Sequence, residues 1–81
     1  MQIEIIVNAF WDDEAKVWVA TSNDIDGLAI EADSFEELTI KIPNALADLI
    51  ELNCYDDYKG LPEIPFHLMA SHNGAIQNPI S

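Results

Sequence analysis

Ile3-Glu4-Ile5-Ile6-Val7-Asn8-Ala9-Phe10-Trp11-Asp12-Asp13-Glu14-Ala15-Lys16-Val17-Trp18-Val19-Ala20 is the stretch whose pattern decides the fold. Ile3, Ile5, Val7 and Ala9 recur at every second position, interleaved with Gln2, Glu4, Ile6 and Asn8, which is the period of a strand with one buried face. The pattern breaks at residues 11–16, polar and acidic in the middle and of hairpin-loop length. Residues 17–22 then resume with β-branched and aromatic side chains, Val17 and Val19 on one face and Trp18 and Ala20 on the other. The stretch therefore predicts two antiparallel strands joined by an acidic turn.

Working outward, Asn23-Asp24-Ile25-Asp26-Gly27 gathers turn-forming residues, and Gly27 supplies the positive φ that other residues avoid. Leu28-Ala29-Ile30-Glu31-Ala32 alternates as a third strand. Ser34-Phe35-Glu36-Glu37 has the form of a capping box, with the Ser34 hydroxyl accepting from the Glu37 amide and the Glu37 carboxylate bonding back to Ser34. From there Phe35, Leu38, Ile42, Leu46, Leu49, Ile50 and Asn53 follow steps of three and four, one apolar stripe of a helix that stops at Asn53. Pro43 lies within it, lacks an amide hydrogen and crowds the carbonyl of Thr39, so the stripe predicts one helix kinked at Pro43 or two nearly collinear ones. Residues 54–65 are turn-rich, residues 66–71 form a short last strand, and residues 72–81 are a polar tail. The expected architecture is α+β, β-β-β-α-β: a three- to four-stranded antiparallel sheet in residues 1–71 with the helix packed on one face.

Composition narrows the function classes. The 81 residues allow one core, and eight Asp and seven Glu against Lys16, Lys41 and Lys59, with no Arg, bring the formal charge to -12. Such a surface repels the phosphates of nucleic acids and anionic membranes. A hydrophobic content of 49% with regular patterning argues against a disordered acidic tail. No apolar run approaches the ~20 residues that span a bilayer, and no basic segment precedes an apolar one at the start, so the chain reads as cytoplasmic. Cys54 is the only cysteine, which excludes an intramolecular disulfide and a cysteine metal cluster. A core of this size gains from self-association, so a homo-oligomer is expected.

The candidate chemistry is sparse. Asp24, Asp26 and Gly27 look like part of a calcium loop, but Ser22 stands where the leading Asp belongs, Asp33 is shorter than the terminal Glu, and strands replace the flanking helices. Asp12, Asp13 and Glu14 are consecutive in a turn and do not converge on one ion. His67 and His72 fall on opposite faces if the last strand continues, and no motif pairs either with Cys54. No catalytic residue, metal ligand or cofactor is therefore assigned. Trp11 and Trp18 are candidate contacts in a partner interface, or else residues that pack the hairpin.

Trp11-Asp12-Asp13-Glu14-Ala15-Lys16-Val17-Trp18-Val19-Ala20, then Ser22-Asn23-Asp24-Ile25-Asp26-Gly27-Leu28 and Glu31-Ala32, followed by Leu38, Pro43, Leu49, Leu52 and Asn53, resemble a bacterial domain-of-unknown-function family of small proteins allied to the HicB-like antitoxins. Asp26 stands where the wider antitoxin group usually carries Pro, which fits the narrower family. The resemblance implies a fold similar to a truncated ribonuclease H core without its catalytic carboxylates, a tendency to homodimers or larger assemblies, and no enzymatic activity. In that group an N-terminal domain masks a small basic HicA-type RNA-cleaving toxin and a C-terminal domain binds DNA. Only 28 residues follow Asn53, so the resemblance extends to the masking part alone.

Three readings follow. The chain is a protein-binding module for a basic partner, using Trp11, Trp18, Asp24 and Asp26, with Gly27, Ser34, Glu37 and Pro43 shaping its turn and helix. Alternatively, it is a stand-alone homo-oligomer whose acidity secures solubility. The remaining alternative is a metal-dependent hydrolase built on Asp24, Asp26 and a hairpin carboxylate.

Overall fold

The alternation that ends at Phe10 forms the central strand of the sheet, and that strand runs on through Trp11 and Asp12, two residues that the sequence pattern assigns to the turn. The structure, a computed structural model, describes residues 4–53 and 55–80, apart from the side chain of Asp57. Its elements run β1 (Ile5–Asp12), β2 (Val17–Thr21), β3 (Ala29–Ala32), α1 (Phe35–Asn53), a 3-10 turn (Asp56–Tyr58) and β4 (Phe66–Ser71). The sheet order is β3-β2-β1-β4. Of the expected first strand, Gln2 and Ile3 lie outside the described residues, as does Cys54.

β1 pairs antiparallel with β2, Trp11 opposite Trp18, and β2 pairs antiparallel with β3, Trp18 opposite Ala32. β4 lies parallel to β1, with Ile5 opposite Phe66 and Phe10 opposite Ser71. The sheet is thus mixed, which corrects the expected all-antiparallel arrangement. The reason lies in the connection: α1 and the loop after it carry the chain from the β3 edge back past β1, so β4 enters from the same end as β1.

Alternation gives the sheet two unlike faces. Ile5, Val7, Ala9, Ala20 and Ala32 point inward and are buried with Leu38, Ile42 and Leu46 of α1. Val17 and Val19 take the other face, half-buried beside the exposed Phe10 and Met69. The helical stripe thus lands where its spacing predicts. Two more core residues come from the acidic turn: Ile25 and Leu28 fold under the sheet, Ile25 fully buried. α1 covers β2 and β3, while Tyr55, Tyr58 and Ile64 pack from the following loop.

The predicted termini of α1 are observed. Ser34 Oγ accepts the Glu37 amide at 3.1 Å. The Glu37 carboxylate, however, turns to Lys41 Nζ at 3.2 Å, so the reciprocal half of the capping box is replaced by an i,i+4 ion pair. The helix passes through Pro43 as a single element. Gly27 has φ 87°, and the Leu28 amide reaches the Ile25 carbonyl at 3.4 Å, the arrangement of a turn with a left-handed third residue.

Two substitutions separate packing from backbone strain. Ile42→Ala removes a fully buried side chain and is expected to cost roughly 2–5 kcal/mol. Gly27→Ala meets only an ordinary contact with Leu49, 3.6 Å away, so its expected cost is the backbone term alone, about 1–2 kcal/mol. Urea denaturation of both variants checks the ranking; a Gly27→Ala variant as stable as the parent would contradict the strain assignment.

Candidate functional site

The cross-strand register sets Trp11 and Trp18 side by side, and two further rings complete a cluster. Trp11 and Trp18 lie edge to face with centroids 5.9 Å apart. His72, one residue past β4, stands 5.9 Å from Trp11 and 5.8 Å from Trp18. Phe35, at the first position of α1, closes on Trp18 at 5.1 Å. Edge-to-face geometry of this kind contributes about 0.5–1.5 kcal/mol per pair beyond the area it buries. The cluster packs the hairpin end of the sheet and still leaves Phe35 37% exposed.

Carboxylates of the hairpin loop lie next to it, held by local hydrogen bonds. Asp12 Oδ1 accepts the amides of Glu14 and Ala15, both at 3.1 Å, which folds the hairpin loop. Lys16 takes the left-handed φ of 60° that closes the loop, with its amide 2.7 Å from the Asp12 carbonyl. Asp13 Oδ1 accepts from Lys16 Nζ at 2.9 Å and from the Trp11 indole at 3.2 Å. The Lys16 hydrogen bond, then that from Trp11, holds the Asp13 carboxyl below its ordinary range. On the other side of the cluster, Asp33, Glu36 and Glu37 are exposed neighbours of Phe35 in the chain.

Asp24 and Asp26 are elsewhere. The Ile6 amide donates to Asp24 Oδ2 at 2.8 Å and the Ser22 hydroxyl donates to the Ile6 carbonyl at 2.6 Å, so these two side chains bond the start of β1 where β2 has ended. The Asp26 amide donates to the Tyr55 hydroxyl at 3.0 Å, fastening the turn to the loop after α1. Asp24 thus sits at the entry of β1, on Ile6, and the hairpin acids at its exit, from Asp12, about 20 Å apart at the rise of a strand. The partner-binding set of Trp11, Trp18, Asp24 and Asp26 therefore divides between the two ends of the sheet. The same separation leaves Asp24, Asp26 and a hairpin carboxylate unassembled as a hydrolytic centre. Among the described residues, no group of three or more His, Cys, Asp or Glu is arranged to hold a metal ion. His67 projects from the face opposite His72, as its register with Ile6 requires.

Phe35, read in the sequence as the start of the helical stripe, and His72, read as a lone histidine, are the members that the sequence pattern did not join to Trp11 and Trp18. The available signal for His72 was alternation: it continues the inward series Phe66, Leu68 and Ala70.

A family model described as a domain of unknown function, DUF1902, matches residues 4–78. The chain belongs to this family. A solved structure of hypothetical protein TTHA1013 from the extremely thermophilic bacterium Thermus thermophilus is 36% identical, covering 93% of this chain and 99% of that one, with a TM-score of 0.64. No curated protein matches the chain. Among the described residues of this DUF1902 chain, no helix is long and apolar enough to cross a membrane.

The Asp13 carboxyl is expected to titrate below 3.8 at low ionic strength and to move upward in ~1 M salt, where the Debye length falls to about 3 Å. Because its folded-state value is lowered, any contribution it makes to stability is present above the unfolded-state value and disappears as pH falls through the folded one. Carboxyl-carbon NMR of the folded protein reads the midpoint; a value at or above 3.8 would remove Lys16 and Trp11 as partners in solution.

Proposed function

We propose that this chain is a cytoplasmic, non-enzymatic binding module that engages a small basic protein, in the manner of the toxin-masking domain of HicB-like antitoxins. On this reading the basic partner is of the HicA toxin type, and the fold is akin to a truncated ribonuclease H core. The observation that carries it is the ring cluster of Trp11, Trp18, Phe35 and His72 with Asp13 hydrogen-bonded to Trp11 and with Asp33 and Glu36 flanking Phe35 in the chain. Aromatic faces beside carboxylates suit Lys and Arg side chains, which gain both a cation–π contact and an ion pair.

The net charge of -12 adds long-range attraction for a basic protein and speeds its encounter. It also opposes polyanions, which is why a protein partner is favoured over a nucleic acid. Phe35 and His72, with the exposed acids next to Phe35 in the chain, are the part of the cluster open to a partner. Trp11 and Trp18 hold the rings in place beneath.

The test is capture followed by titration. The tagged chain is exposed at low salt to a lysate of its source organism, eluted with high salt, and the eluate identified by mass spectrometry. The expected result is one small basic protein in near-stoichiometric amount, bound roughly tenfold more weakly by a chain carrying Asp33→Lys and Glu36→Lys. Retention that is indifferent to salt, or equal binding by the charge-reversed chain, would overturn this reading.

A further inference from the structure

The two edges of the sheet are unlike. β3 is four residues long, carries Glu31, and its Glu31 carbonyl accepts Lys41 Nζ at 3.0 Å. Shortness, charge and a covering lysine are the usual devices that keep a sheet edge from pairing with another chain. β4, on the opposite edge, has none of them: Phe66-His67-Leu68-Met69-Ala70-Ser71 is six residues long with no acid, no lysine and no internal proline.

The lack of charge extends beyond the strand. All fifteen acids and all three lysines lie within residues 1–63, and residues 64–81 carry no Asp, Glu, Lys or Arg. In a chain of net charge -12, this is the part of the surface that a second copy approaches with least like-charge repulsion.

The ladder fixes which groups are free. The Ile5 amide donates to the Pro65 carbonyl at 3.0 Å. In a parallel pair this phase turns the amides and carbonyls of His67 and Met69 toward β1 and those of Phe66, Leu68 and Ala70 toward the open edge.

Residues 73–80 then leave the domain as an exposed segment without helix or strand, bearing Ile76 at 87% and Ile80 at 79% exposure. The radius of gyration of 15.7 Å and the long dimension of 60 Å record the projection; a compact chain of this length would have a radius near 12 Å. Eight extended residues reach about 26 Å.

A groove of about 260 Å³ opens at the beginning of β4, lined chiefly by Pro43, Leu46, Ile50, Leu61, Ile64 and Phe66. When two β4 edges pair antiparallel, the end of each strand lies beside the start of the other. The segment after each β4 is then directed toward the groove of the opposite copy.

We infer that this chain forms a two-fold dimer in which the β4 edges pair antiparallel about Leu68 and residues 73–80 of each copy lie along the other, with Ile76 and Ile80 covering its apolar groove. The two sheets become one of eight strands. β3 lies at the opposite edge of the sheet, while His72 of the ring cluster directly precedes the exchanged segment; the dimer rests on the β4 edge and that segment and does not depend on the proposed basic partner.

Three full-length proteins test it by sedimentation equilibrium, with near-ultraviolet circular dichroism verifying the fold. The parent is expected to sediment as a dimer. Ala70→Pro removes an outward amide without removing a β1 bond, the edge position that tolerates proline; Ile76→Asp with Ile80→Asp places charge on the segment while leaving the domain intact. Each is expected to weaken dimerisation roughly tenfold or more. A monomeric parent, a dimer indifferent to both changes, or a dimer sensitive to only one of them would overturn the exchange. If Ala70→Pro lost its native spectrum, its edge arm would be read instead from Ala70→Lys, with the same expectation and the same overturning result.

Discussion

Everything in this domain hangs on β1 being a central strand. Ile5, Val7 and Ala9 have almost no exposure because the sheet continues on both sides of them and Leu38, Ile42 and Leu46 close from above. A strand in that position must have both rows of backbone groups satisfied. β2 and β4 provide most of the partners. Where β2 has ended, the Ser22 hydroxyl and the Asp24 carboxylate bond to Ile6 in place of another strand residue.

That constraint sorts the acidic residues into two kinds. Asp12, Asp13 and Asp24 accept hydrogen bonds that shape the hairpin or extend the ladder, so their charge is a by-product of a structural task. Asp33 and Glu36 are exposed beside the ring cluster and face solvent. A charge run seen in sequence does not separate the two kinds, because the distinction depends on which backbone amide happens to be near. It is the second kind that leaves exposed charge next to Phe35 in the chain.

Much of the fold was legible in particular residues. The spacing of Ile5, Val7 and Ala9, the run from Val17, the Gly27 turn, the Ser34 cap and the stripe Leu38, Ile42, Leu46 all report local pattern, and the elements form there, β1 alone running two residues into the expected turn. Ile25 was not legible as a core residue: it sits in an acidic turn with no period around it, and only the turn of the chain at Gly27 carries it under the sheet. The parallel entry of β4 was equally hidden, since strand direction depends on the path of a long connection. The ring cluster was half visible, as Trp11 and Trp18 meet across a hairpin, whereas Phe35 and His72 arrive from α1 and the end of β4.

By itself, then, the sequence determined which segments are strands or helix, which face of each is apolar, and the strongly acidic balance of the chain, because these depend on the order of neighbours a few residues apart. Tertiary structure alone decided the mixed sheet, the separation of Asp24 and Asp26 from Trp11 and Trp18, and the contrast between a guarded β3 edge and an open β4 edge. Those properties arise from contacts between distant parts of the chain, where the choice is made by how hydrogen-bonding groups and apolar faces are jointly satisfied rather than by any local pattern.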